Sequence, residues 1–403
     1  TSYPVSGHAD IPGVADPSAS AKLKIVQGQV SDDLTVEDII ARYPGLESSD
    51  DDELEEALRE LHNACYSQRE TLLAAEALLV PRFHGSASPE VKRGAFRAWA
   101  NLVDNQVRPD HLRLLTDFAA QEHDSRMTRE ILTAVAKFAE EGTLPMLQRL
   151  SQHPDASLRA DLAKELWHNA RDDFPGKREV LNQLVGDADG GVRAAAVGAL
   201  SGGYREDAAL LRWIAGLFAQ DPDPEVQAAC VAALSLAHHN GLGDVSLGVF
   251  EAALQSPHES VRSKVADSLS FQPEAAAPRV VRIVERLLAD PSEEVRRDMA
   301  FQVANLEEFP EVVALGQRAA ESDPSLRVRA RAITALAHAM PVQPLIAFYE
   351  RLLANNPSED IWNAAIRGAD RQIKEPVARA FLEKLAAQDS EMGAYARGRL
   401  AQN

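Results

Sequence analysis

One apolar residue returns along this chain at an almost fixed interval. Taken as the first core position of a helix, it falls at Val91, Met127, Leu158, Val192, Val226, Val261, Val295, Val328, Ile361 and Met392. The nine spacings run from 31 to 36 residues and centre on 34. A period of this length marks an array in which each unit is one supersecondary element, too small to bury its own apolar side. The constraint is strong. The chain must stack like units side by side rather than close around one core.

Within each unit the pattern is helical. Four and eight residues after the anchor come Ala196 and Leu200, Cys230 and Leu234, Val265 and Leu269, Met299 and Val303, and Ala332 and Leu336. The fifth position is apolar in every unit but the last, where Arg397 stands. Spacing of this kind is a single stripe on an α-helix. An earlier helix is predicted from Val280, Val284, Leu287 and Leu288. Between the two, Pro154, Pro222, Pro257, Pro291, Pro324 and Pro357 stand four residues before the anchor, where proline ends one helix and suits the start of the next. Asp221, Asp290 and Asp323, one residue earlier, are turn or cap residues.

The pairing of "DPxxxVR" with a following "AAxAL", clearest in "DADGGVRAAAVGAL" (187–200), resembles the HEAT repeat. More narrowly it is similar to the HEAT-like repeats of bacterial proteins related to phycobilin lyases. The resemblance covers roughly residues 70–403 and implies an all-α, right-handed α-solenoid of about ten HEAT-like helix pairs. It also implies a polar ladder between neighbouring repeats, carried by Asp187 and Arg193, Asp290 and Arg296, and Asp323 and Arg329. Gln227 and Trp362 depart from the pattern by replacing the Arg, and the first, second and last units match weakly. End repeats present a polar outer side, so weak terminal units are expected. Such repeats serve scaffolds, adaptors, lyases and a few nucleic-acid enzymes, so the resemblance implies a fold more than an activity.

The first sixty residues do not follow the period. Prolines and glycines (Pro4, Gly7, Pro12, Gly13, Pro17) argue against regular structure at the start, "KLKIVQGQV" (22–30) has extended character, and "TVEDIIARY" (35–43) predicts one or two helical turns. "SSDDDELEEALRELHNAC" reads as a capped helix with Leu54, Leu58 and Leu61 on one stripe and acids at its positive end. The expected organisation is an acidic N-terminal segment, 1–48, followed by a solenoid, 49–403, whose capping helix is 49–64. The opening residues lack the basic and apolar regions of a signal peptide, and a start at Thr1 points to a processed chain.

Net charge is −19, and residues 1–60 contribute −10 of it. A chain this acidic is a poor match to nucleic acid or to an anionic membrane, both of which select basic surfaces. Two cysteines, Cys65 and Cys230, exclude a disulfide framework. His238 and His239 are adjacent but lack the spacing of metal ligands, and no phosphate loop or nucleophile elbow occurs. No catalytic residue, metal or cofactor is expected, and the chain reads as soluble and cytoplasmic.

What remains is a surface. At 100° per residue, positions two, six, nine and ten after the anchor face away from the core, on helices that line the concave wall of a solenoid. They carry Arg93 and Arg97 first, then Ala194, Gly198, Ser201 and Gly202, then Ala228, Ala232, Ser235 and Leu236. Phe271, Arg297, Phe301, Asn363, Arg367 and Arg371 follow. Small residues let a partner approach closely, and an aromatic beside arginines is the make-up of a protein-binding hot spot. The candidate partner-binding set is Ala194, Gly198, Ala228, Ala232, Arg297, Phe301 and Arg367. The expected function is a noncatalytic scaffold or adaptor for a protein or peptide. Two other readings are a tetrapyrrole-handling protein of the phycobilin-lyase kind and a DNA-repair glycosylase, for which Asp161 and Trp167 lie in one unit but on different faces and the overall charge is wrong.

Overall fold

A computed structural model describes residues 34–67, 69–104, 107–122, 124–138, 141–170, 174–269, 274–355 and 358–402. The extended reading of 22–30, Pro357 and Phe271 lie outside the described residues. Among those described, all regular structure is helical, in 22 α-helices and short 3-10 turns. The chain divides into two units, residues 1–106 and 107–403, so the sequence boundary at 48/49 falls inside the first.

In the first unit, α1 (Val36–Arg42) starts with a capping box between Thr35 and Asp38. Helix α2 (Asp51–Ser67) buries Leu58, Leu61 and Cys65 against α4 (Pro89–Val103). Helix α3 (Glu76–Gly85) completes a pair with α4, around the packed rings of Phe83, Phe96 and Trp99.

The second unit is nine helix pairs in sequence. The first three are α5 (Pro109–Gln121) with α6 (Ser125–Lys137), α7 (Leu144–Leu150) with α8 (Ala156–His168), and α9 (Pro175–Leu184) with α10 (Gly190–Gly203). Next come α11 (Ala208–Gln220) with α12 (Pro224–Ala233), α13 (Gly243–Ala253) with α14 (Glu259–Ser268), and α15 (Ala277–Leu288) with α16 (Glu293–Gln302). The last are α17 (Pro310–Ser322) with α18 (Leu326–Ala339), α19 (Val342–Asn355) with α20 (Glu359–Arg371), and α21 (Pro376–Ala386) with α22 (Glu391–Ala401). From α6 to α20, successive second helices pack on one another more extensively than successive first helices do. The result is an all-α solenoid of two layers.

The anchor residues are buried in every described pair except the last, where Met392 is half-buried. In α15 the buried stripe is Val280, Ile283, Val284 and Leu287, with Leu288 only half-buried, so the stripe turns one position earlier than the sequence pattern predicts. The prolines differ more informatively. Pro154, Pro222, Pro291 and Pro324 each stand one residue before the N-cap rather than inside the second helix. Capping falls to the next residue: Asp155 accepts from the Ser157 N–H at 2.9 Å, Asp223 from Glu225 at 2.8 Å and Ser325 from Arg327 at 3.2 Å. Proline thus stops the first helix and sets the turn, and a short polar side chain starts the second.

Candidate functional site

The polar ladder explains how successive pairs are held in register. Arg159 donates to both oxygens of Asp187 at 2.6 and 2.7 Å, and Arg193 to both of Asp221 at 2.7 and 2.9 Å. Arg262 does the same to Asp290, at 2.7 and 3.0 Å, and Arg296 to Asp323, at 2.9 and 3.3 Å. Each Arg reaches forward to the Asp of the next pair, while a third N–H donates to a carbonyl of its own turn: Asp187 for Arg193 and Asp290 for Arg296. The Asp and Arg of one unit therefore meet through backbone only. Gln227 keeps the backbone half, donating to the Asp221 carbonyl at 3.1 Å, and the following turn has Ser256 where the clamped turns have Asp187, Asp221, Asp290 and Asp323. Arg329 donates to the Ala320 carbonyl at 3.2 Å.

The Asp187 and Asp221 carboxyls are held below the usual aspartate range, first by their Arg partners, against a smaller opposing effect of burial. At Asp290 burial is the largest influence and pushes upward, yet Arg262, the Ser292 N–H and Arg296 together outweigh it, and the carboxyl is again lowered. These charges are occupied in structure.

Other candidates for chemistry are likewise engaged. Asp161 accepts from Arg129 at 2.9 Å and from Lys164 at 3.2 Å, which removes it as a free acid beside Trp167. His238 and His239 lie in a one-turn 3-10 helix closed by Gly241 at φ 69°. Burial pushes the Cys230 thiol up to about 12, and Cys65 is buried too, so neither is a ready nucleophile. Among the described residues no cluster of His, Cys, Asp and Glu is arranged to hold a metal ion, and no helix is long and apolar enough to cross a membrane.

The predicted partner-binding residues all lie on second helices. Gly198 and Ala232 are exposed, and Ala194 and Ala228 are half-buried beside them on α10 and α12. Nothing lies within 4 Å of a Cβ built on Gly198. Leu236 is exposed just beyond α12, before the 3-10 turn that follows it. Phe301 on α16 is 42% exposed, with the Arg331 guanidinium 4.0 Å from its ring centroid. Arg297 is half-buried, paired with Glu294 and 3.7 Å from Asp298. Arg367 is exposed on α20 and donates to the Tyr395 hydroxyl at 2.8 Å. In the first unit, Arg93 pairs with Glu90 at 2.7 Å.

Sequence reasoning passed over two members of this surface. Trp167, nine residues after its anchor, is 43% exposed and lies against Gly202, where a Cβ would stand 2.5 Å from the indole Nε1. Arg331, three residues after its anchor, covers Phe301. Trp167 occupied a position already assigned outward. Arg331 sits at about 300° on the helical wheel, only about 50° from the outward direction, and a side chain of that length swings across.

A layered array of this kind defines an α-solenoid. Within it, the HEAT-repeat family pattern matches residues 145–235, 178–269 and 210–305. Residues 145–305 of the chain are thus HEAT repeats. No curated protein matches the sequence. Among solved structures, an engineered protein is similar at 19% identity and a TM-score of 0.36, over 84% of this chain and 99% of that one. The karyopherin Kap121p is similar at 14% identity and a TM-score of 0.49, over 88% of this chain and 48% of its own. A homology model of the AP-3 complex is similar at 12% and 0.48, over 86% and 71%. The chain spans about half the length of the karyopherin structures it matches. Likeness at this level says nothing of what the chain binds.

Proposed function

We propose that this protein is a noncatalytic scaffold or adaptor that holds a protein or peptide along the second-helix face of residues 107–403. The observation that carries this reading is the distribution of exposed large apolar side chains. Of the five described in this unit, Trp167 and Phe301 lie at outward positions of second helices and Leu236 just beyond one, while Trp213 is on a first helix and Leu326 opens α18. Trp167, Leu236 and Phe301 flank and adjoin the open floor of Gly198 and Ala232. Exposed apolar groups around a shallow, uncluttered floor suit a partner that arrives with its own side chains.

Spacing supports the same face. From α6 to α20 the second helices pack on one another more extensively than the first helices do, and a two-layer array curves toward its more closely packed layer, which makes that layer the concave wall in this reading. The ladder arginines are paired with aspartates and both thiols are buried, which supports a role in contacts. Two buried cysteines that form no disulfide suit a reducing compartment, and we assign the protein to the cytoplasm on that ground.

A photo-crosslinking amino acid placed at Ala232 tests the reading against one placed at Ala219, which is exposed on the first helix α11. The expected result is a discrete crosslinked protein from Ala232 and none from Ala219. Equal products from both positions, or products from Ala219 alone, contradict it.

A further inference from the structure

Most arginines that bridge one repeat to the next in this unit end on carboxylates. Three on the second-helix face do not. Arg331 reaches back from α18 to lie over the Phe301 ring of α16, at 4.0 Å. Arg367 reaches forward from α20 to the Tyr395 hydroxyl of α22, at 2.8 Å, and Tyr395 packs against Trp362 with ring centroids 5.7 Å apart. Arg371, also on α20, contacts the His338 ring nitrogen of α18. Among the described residues no acidic side chain lies within 4.0 Å of these three guanidinium groups. They are positioned by rings and a hydroxyl rather than by acids.

We propose that this end of the face receives an acidic peptide segment that carries an aromatic or large apolar residue. The inference rests on the scaffold reading, because it puts the segment on the same surface, and it adds the chemistry of the partner. Charge complementarity is the argument. In a chain of net charge −19, an uncompensated cationic group of three is a local exception. Guanidinium groups already held in place bind a carboxylate through two parallel N–H donors without the ordering cost of a free side chain.

The spacing narrows the class further. Neighbouring packed helices lie about 8–10 Å apart, and an extended chain rises about 3.3 Å per residue. Contacts on successive second helices therefore fall about three residues apart in a bound strand. The Arg331 guanidinium lies over Phe301 between α16 and α18, Arg371 reaches from α20 to α18 and Arg367 from α20 to α22, so the three guanidinium groups match acids at intervals of about three residues, the first beside an apolar residue. Nucleic acid fits less well: its charge is continuous, and the cationic group sits on two helix pairs of an otherwise acidic protein.

The test pans a random peptide display library on the immobilised full chain, then measures the recovered peptides on an Arg331→Glu, Arg367→Glu, Arg371→Glu triple variant. All three side chains are exposed, and circular dichroism checks the fold. If the triple variant fails to fold, Arg367→Gln with Arg371→Gln is measured in its place. The expected peptides carry acids about three residues apart with an aromatic or large apolar residue, and lose at least about tenfold in affinity on the variant. Neutral or basic peptides, undiminished binding to the variant, no enrichment at all, or equal competition by single-stranded DNA each overturn the inference. Neutral peptides that Ala232→Arg abolishes overturn it while leaving the scaffold reading in place. Acidic peptides bound without effect of Ala232→Arg support it and confine the contact to the C-terminal repeats.

Discussion

The guanidinium of Arg193 grips the carboxylate of Asp221 through two hydrogen bonds, 2.7 and 2.9 Å long, from one helix pair to the next. Its third contact returns to the Asp187 carbonyl of its own turn, at 3.0 Å. One side chain thus ties two turns together, and the same arrangement recurs at Arg159, Arg262 and Arg296. Repetition of this clamp fixes how one pair rotates on the next.

The clamp carries stability that a surface pair does not. Arg193 is 17% and Asp221 7% exposed, whereas the Arg297 and Glu294 side chains are 36% and 47% exposed. Arg193→Ala is expected to cost about 2–4 kcal/mol, since it leaves a shielded carboxylate without its partner. Arg297→Ala is expected to cost less than about 0.5 kcal/mol. Urea unfolding followed by circular dichroism compares them, and similar losses would remove the ladder from this account.

Acid should loosen the array at its ladder. Asp187, Asp221 and Asp290 bind fewer protons folded than unfolded, because each carboxyl is lowered from the ordinary value of 3.8. Their contribution is complete above that value and is lost as pH falls through the lower native ones. The expected melting temperature falls steeply below about pH 4, and Asp221→Asn flattens part of that fall. A melting temperature unchanged between pH 5 and pH 3 contradicts the assignment.

Two helix glycines should respond in opposite directions. A Cβ on Gly368 would stand 2.2 Å from the Tyr349 hydroxyl, which is buried and donates to the Ile333 carbonyl at 3.1 Å. Gly368→Ala is expected to destabilise by about 1–3 kcal/mol through overpacking. Gly198 has open space around it, and Gly198→Ala is expected to stabilise by about 0.5–1 kcal/mol through helix propensity. Thermal melts of both variants check the pair of signs.

Phe301 is expected to act as an anchor for the partner. Phe301→Ala should weaken binding by about 1–3 kcal/mol and leave the melting temperature almost unmoved, because the ring is largely outside the core. A large fall in melting temperature with unaltered affinity, measured on a purified partner, would make it a packing residue.

The architecture was legible because it is periodic. Val192, Val226 and Val261 repeat one physical requirement, and ten versions of a stripe average away the oddities of any single one. The ladder was legible only in its residue types. Spacing shows that Asp187 and Arg193 recur together, but the turn of the chain decides that Arg193 reaches forward to Asp221 instead. The site was legible to the extent that direction follows from the helical wheel, as for the exposed Gly198, Ala232 and Phe301. Side-chain reach was not. Arg331 covering Phe301 and Tyr395 holding Arg367 depend on rotamers across a helix gap, which no single-helix projection contains.

The measurement that bears most directly on the central claim is a parallel capture from lysate on immobilised wild-type chain and on Ala232→Arg. Ala232 is exposed, so the substitution places a long charged side chain on the open floor without entering the core. The account predicts a protein retained by wild type and lost from Ala232→Arg, with the two melting temperatures nearly equal. The same proteins retained by both, with the variant fully folded, would contradict it and place binding away from the second-helix face.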